Sequence, residues 1–267
     1  MDANHPLAQL RASLSEPSEG FLDPNQYARL SIVEFESLLH VDFFGEPFDE
    51  PFFQLSELLR AGDVAGVLGS LMLRCPDEGM NGTCNWDLSA LLHRNAHFPQ
   101  LKLVSIQQNG PATHNRIIVG SEFEEGGTLG RLLQKAPVLD ALIAPSAPDA
   151  SFFEVREHPL RYLNLDAGYD TQNFIANLAS SSLFPGLQSL EWGEYHETYL
   201  DNFPQGCTPF ADYQRLFQSQ AFARVQAFTL RNPVCTPDEL ASLRAIRPRS
   251  TGLQFNVVRS SSEYVSG

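Results

Sequence analysis

Asp166, Glu191 and His196 are the side chains whose types could do acid–base or metal chemistry if folding gathered them, because a carboxylate beside an imidazole can move a proton or hold a cation. Motif spacing gives that reading little support. His93 and His97 stand at the helical i, i+4 spacing of a zinc site but lack the intervening Glu pattern of HExxH and a third ligand. The other histidines, His5, His40, His114, His158 and His196, are scattered, and packing or solvent contact is their expected role. The run from Asp166 to Asp170 has the spacing of the opening of a calcium loop without its later bidentate Glu. No nucleophile elbow, phosphate-binding loop or dinucleotide fingerprint occurs. The expectation is a protein that is not an enzyme and carries no cofactor and no metal. An enzyme or metal-dependent protein built on Asp166, Glu191 and His196 is the alternative.

The same region suits recognition of another protein. Tyr162, Asn164, Asp166 and Glu191 combine an aromatic anchor with hydrogen-bond acceptors, the composition that favours binding hot spots and complements Lys or Arg. The expected contact set is Tyr162, Asn164, Asp166, Asp170, Glu191, Glu194, Tyr195, His196, Glu197, Thr229 and Arg231. Glu122, Glu124, Glu125 and Asp201 would extend it as an acidic rim. The net charge of −14 is uneven: residues 1 to 60 carry 11 acids against 3 bases and residues 122 to 201 carry 13 against 4, whereas residues 202 to 267 carry 4 against 7. A field of this sign repels nucleic acid and anionic membranes and speeds encounter with a basic protein. The expected partner is therefore a protein with a basic surface, in the sharper form a toxin whose cationic cleft an immunity-type inhibitor would fill. The free chain is expected to be a monomer.

Positioning such a face requires repeated elements, and an apolar segment of the form L-x-x-L-x-L recurs. It starts at Leu68, Leu101, Leu139, Leu160, Leu187 and Val225, with a weaker copy at Leu253. Pro99, Pro137, Pro159 and Pro185 stand one or two residues before four of these starts and end the preceding stretch. Helical spacing is found over residues 86–98, 128–136, 173–184, 209–222 and 237–246, so strand and helix are expected to alternate. Strands about 4.8 Å apart backed by helices about 10 Å apart would curve, with the strands on the inner wall. The outward strand positions would then be Ser70, Met72 and Arg74, and so on through Tyr162, Asn164, Asp166, Ser189, Glu191, Gly193, Thr229 and Arg231 to Phe255, Val257 and Arg259.

These segments resemble the leucine-rich-repeat family in its ribonuclease-inhibitor-like form, and its irregular bacterial cytoplasmic members above all. The resemblance implies an α/β solenoid with parallel strands on a concave face, helices on a convex face and an N-terminal cap. The intervals between copies are 33, 38, 21, 27, 38 and 28 residues, three of them longer than the family's usual 20 to 29, so inserted loops are expected. The family's strand-ending Asn stands only at Asn109, with Asn232 one place early. Residues 64–259 would form the solenoid, 21–63 the cap, and 1–20 and 260–267 loosely held tails. No apolar run reaches the length of a membrane span and the start lacks a secretory pattern, so a cytoplasmic protein is expected. Cys75, Cys84, Cys207 and Cys235 form no CxxC pair and are expected as buried, reduced thiols.

Overall fold

The computed structural model describes residues 5–14, 28–77, 82–110, 113–121, 124–194, 203–248 and 252–260. Its frame is one sheet of nine strands. In chain order the strands among the described residues are β1 (Arg29–Phe35), β2 (Leu38–Phe44), β3 (Leu68–Arg74), β4 (Thr83–Trp86), β5 (Leu103–Ile106), β6 (Arg116–Val119), β7 (Ala141–Ala144), β8 (Tyr162–Asp166), β9 (Ser189–Gly193), β10 (Ala227–Arg231) and β11 (Gln254–Val258). The large sheet runs β1-β2-β3-β5-β7-β8-β9-β10-β11, while β4 and β6 pair apart from it. All pairs are parallel except the hairpin β1–β2. The helices are α1 (Pro6–Ser13), α2 (Glu50–Leu59), α3 (Gly62–Ala65), α4 (Thr128–Lys135), α5 (Phe174–Ala179), α6 (Phe210–Gln218) and α7 (Pro237–Ile246).

Burial follows the period of two that a sheet with one covered face requires. Leu71, Val104, Leu142, Leu163, Leu190 and Phe228 stand opposite one another on successive strands, each at most 1% exposed. Ala144, Leu165, Trp192 and Leu230 form a second buried row two residues on. Helices cover these rows. Phe174 of α5 stacks on Trp192 at 5.1 Å, and Phe217 of α6 meets Phe228 edge-on at 5.7 Å. Helix α7 starts where the sequence caps it: Thr236 and Glu239 form a capping box, with Pro237 in the first turn.

The expected leucine-rich-repeat solenoid is not what the chain forms. A single extended sheet, mixed because β1 runs antiparallel, is backed by few helices, and among the described residues strand and helix alternate regularly only from β8 to β11. Between β3 and β5 lie only β4 and turns among the described residues, and between β7 and β8 only a four-residue 3-10 turn, Ala150–Phe153. The physical reason is that the L-x-x-L-x-L pattern reports burial of a parallel strand and is silent about what connects one strand to the next. Residues 86–98, expected as a helix, end β4 and then turn: the Asp87 carboxylate accepts from Ser89 N at 2.8 Å and fixes a local bend. The segment still buries Leu88, Leu91 and Leu92.

Other expectations are corrected in the same way. The expected tail at 1–20 contains α1, whose Leu7 and Leu10, with Leu14 beyond its end, are buried. The last copy is one residue out of register. Phe255 stands opposite Phe228 and Val257 opposite Leu230, so Gln254, Asn256 and Val258 point outward in place of Phe255, Val257 and Arg259. All four cysteines are buried, but Cys75 and Cys84 are joined as a disulfide, and only Cys207 and Cys235 are free thiols. Among the described residues no helix is long and apolar enough to cross a membrane.

Candidate interaction face

The face of the sheet opposite the helices carries the alternate residues of each strand. Ser105, Ile143, Asn164, Glu191, Thr229 and Asn256 form one row across it, and Leu103, Ala141, Tyr162, Ser189, Ala227 and Gln254 form a second. Except for buried Asn164, these side chains remain half-buried or exposed. Small residues at Ala141, Ser189 and Ala227 leave Tyr162 as the largest side chain of its row from β7 to β10.

Tyr162 is held in place. Its hydroxyl donates to Glu191 Oε1 at 2.6 Å and accepts from Asn164 Nδ2 at 3.4 Å. Burial, then the hydrogen bond and charge of Glu191, push the phenol up to about 12. Asn164 is buried, and its Oδ1 accepts from Gln108 Nε2 at 2.9 Å and from Arg231 Nη2 at 2.7 Å. Arg231 Nη1 in turn meets Asp166 Oδ1 at 2.8 Å. A connected chain of polar contacts therefore runs from Asp166 through Arg231, Asn164 and Tyr162 to Glu191.

The Asp166 carboxylate is itself buried, which pushes its pKa up; Arg231 and Arg116 oppose that shift. Its Oδ2 also accepts from Asn109 N at 3.4 Å. Asp166, Gly193 and Arg231 occupy one register position on β8, β9 and β10, so the ion pair crosses above Gly193. A Cβ at Gly193 would lie 2.4 Å from Asp166 Oδ1. The glycine is what lets the two side chains meet.

The expected contact set thus divides. Tyr162, Asn164, Asp166, Glu191, Thr229 and Arg231 are brought together on one face, as the strand pattern implies. Asp166 and Asn164, however, are buried supports, and Arg231 is largely engaged by them. Glu194 is corrected outright: it is buried and accepts from Trp192 Nε1 at 2.8 Å, Thr208 N at 3.2 Å and the Tyr213 hydroxyl. It belongs to the packing of α6 on the sheet. Burial and the charge of Glu194 push the Cys207 thiol up to about 12. Asp170 is exposed and shapes its own turn, accepting from Gln172 N at 2.7 Å. Tyr195, His196, Glu197, Glu122 and Asp201 lie outside the described residues.

Of the expected rim, Glu124 is exposed, but Glu125 is buried beneath the start of α4, where it accepts from Gly127 N at 3.0 Å and from Leu129 N. Of the expected acidic residues, Glu191, Asp170 and Glu124 are the ones among the described residues that are not buried. In the alternative cluster, Asp166 is paired with Arg231 and Glu191 with Tyr162. No group of three or more His, Cys, Asp or Glu side chains suited to a metal occurs among the described residues.

Gln108, Asn109, Arg116 and Gly193 complete the site without having been singled out as contact residues. Asn109 bonds both backbone groups of Ile117, donating to its carbonyl at 2.8 Å and accepting from its N–H at 2.7 Å, which locks the loop after β5 onto β6. Gly193 was readable as an outward strand position where a side chain is missing. No protein-family model matches the chain, and no curated protein does either, so the reading of the site stands on its geometry.

Proposed function

We propose that the protein is a non-catalytic interaction module that binds a basic protein through the open face of its sheet, with Tyr162 and Glu191 at the centre of contact. The observation that carries this reading is the supported aromatic: a half-buried Tyr162 whose hydroxyl is fixed by Glu191 and Asn164, the latter held in turn by Arg231. An aromatic already held in one orientation loses little freedom on binding, which is the economy of a hot spot. Half-buried Leu103, Ala141 and Ile143 on the neighbouring strands supply the apolar surround that excludes water. The second oxygen of Glu191 and the net charge of −14 favour Lys or Arg on the partner. The sharper form of the proposal is a cytoplasmic, monomeric inhibitor that occupies the cationic cleft of a toxin.

The test is capture of a partner from the native host at low and high salt, by wild type and by Tyr162→Ala and Glu191→Ala. Each substitution is expected to weaken the complex by about 2 kcal/mol or more while barely moving the melting temperature. Leu163→Ala and Leu190→Ala, at fully buried positions of the same strands, are expected to lower stability by about 2–5 kcal/mol. Capture that ignores both face substitutions and salt would remove the proposal.

A further inference from the structure

The amino ends of the strands carry a second patch, opposite in sign to the chain as a whole. Lys102, Asp140, Arg161, Gln188, Gln226 and Gln254 stand at equivalent positions just before or at the start of successive strands, linked by backbone bonds: Asp140 N to Lys102 O, Arg161 N to Asp140 O, Gln188 N to Arg161 O, Gln226 N to Gln188 O and Gln254 N to Gln226 O, at 2.7–2.9 Å. Asp140 is the row's one acid, and it pairs with Arg161 at 3.1 Å.

Where β9 and β10 begin, a cleft of about 330 Å³ is lined by Gln188, Arg224, Gln226 and Arg247, with Pro185 and Gly186 at its edge. Backbone carbonyls position both guanidiniums. Arg224 Nη1 donates to Pro185 O at 3.0 Å; Arg247 donates to Phe222 O and, through Nη2, to Ala223 O at 3.2 Å. The Arg247 guanidinium also lies over the Phe222 ring at 5.4 Å. Each guanidinium has five N–H donors, so these carbonyls leave donors over on both. Among the described residues neither arginine has a carboxylate partner. Two arginines oriented by neutral oxygens and flanked by two amide side chains form a donor-rich cleft that lacks an acceptor of negative charge.

We infer that this cleft is a binding site for an oxyanion, a phosphate or carboxylate group, held by Arg224 and Arg247 with Gln188 and Gln226 as additional donors. The site is separate from the Tyr162 face and takes the opposite charge. It could be filled by a small phosphorylated or carboxylated molecule or by an acidic or phosphorylated side chain of a partner, and the chemistry at the arginines is the same in each case.

The test is calorimetric titration of the full chain at low ionic strength with pyrophosphate and, separately, with succinate, followed in parallel by the arginine Nε–H resonances. Saturable binding of either anion, with the Arg224 and Arg247 signals moving, is expected; which anion binds decides between phosphate and carboxylate. Arg224→Gln and Arg247→Lys are each expected to weaken that binding at least tenfold. Arg224 is exposed, so its substitution is expected to leave the melting temperature within a few degrees of wild type. Absence of saturation with both anions, or equal binding by both variants, would overturn the inference. Glu191→Gln is expected to bind the anions as wild type does, so this site and the Tyr162 face can fail separately.

Discussion

Asp166 and Arg231 meet at 2.8 Å across a strand to which neither belongs, and the residue beneath their contact is Gly193. The pair is largely shielded, with side-chain exposures of 10% and 21%. Gly193→Ala places a methyl 2.4 Å from Asp166 Oδ1 and is expected to push the pair apart. The expected loss is about 1–3 kcal/mol in denaturant unfolding. Asp166→Ala, which strands the guanidinium, is expected to lose about 3–5 kcal/mol, and Asp166→Ala with Arg231→Met less than the sum of the two singles. Strict additivity would mean that the contact contributes nothing.

Glu194 offers a contrast between a buried carboxylate and an exposed one. Three donors converge on it, from Trp192, Thr208 and Tyr213. Glu194→Ala is expected to lower stability by about 3 kcal/mol, since it leaves those donors buried without an acceptor, and Glu194→Gln by less. Neither change is expected to alter partner capture beyond the fraction of unfolded chain, measured by melting curve and binding assay on the same preparation.

His158 gives the protein a pH dependence of known sign. Burial holds its pKa below the ordinary 6.5, while its Nε2 lies 3.1 Å from Ala136 O. The folded state therefore binds fewer protons than the unfolded state between the lowered pKa and 6.5. Stability contributed by the neutral ring is present above pH 6.5 and is lost as pH falls through that window. Glu125 and Asp166, both raised, act in the opposite sense, so the comparison must be with a variant. On moving from pH 7.5 to pH 5, wild type is expected to lose more of its urea midpoint than His158→Gln does; equal losses would assign the ring no part.

The hairpin joining β1 to β2 turns on Glu36 and Ser37, both left-handed, with φ of 49° and 65°. Neither residue favours that region, whereas Asn and Gly do. Glu36→Asn with Ser37→Gly is expected to raise stability by about 0.5–1 kcal/mol, read from the unfolding midpoint.

That turn also explains why β2 is not legible in the sequence: Glu-Ser carries no hairpin signal. The parallel strands were legible because Leu163, Leu190 and their neighbours repeat a spacing that one-sided burial imposes on a pleated strand. The register failed at β11, where Leu253 imitates the first leucine of a copy although Phe255 is the residue that seats on Phe228, at 5.4 Å between rings. Residues 88–92 carry the i, i+3, i+4 apolar spacing of a helix, yet tight turns bury the same three leucines, a choice that tertiary packing makes. At the interaction face, Tyr162, Glu191 and Arg231 followed from strand alternation. Arg116 and Gln108 did not, since they act on Asp166 and Asn164 from 50 or more residues away, one from β6 and the other from the loop after β5, a placement no local pattern encodes. Charge alone could not separate Glu194, a packing residue, from Glu191, a surface one.

The order of strands in the large sheet is the order in which the chain is made, with β4 and β6 set aside. Every new strand can therefore add to an edge that already exists, and no early segment has to wait for a distant one. Such a topology keeps loop closures short and is compatible with assembly during synthesis, the hairpin acting as the seed on which each later segment docks. A nascent chain stalled after residue 166 would already own the first six strands of the large sheet, and its growing end would be the one edge left to finish.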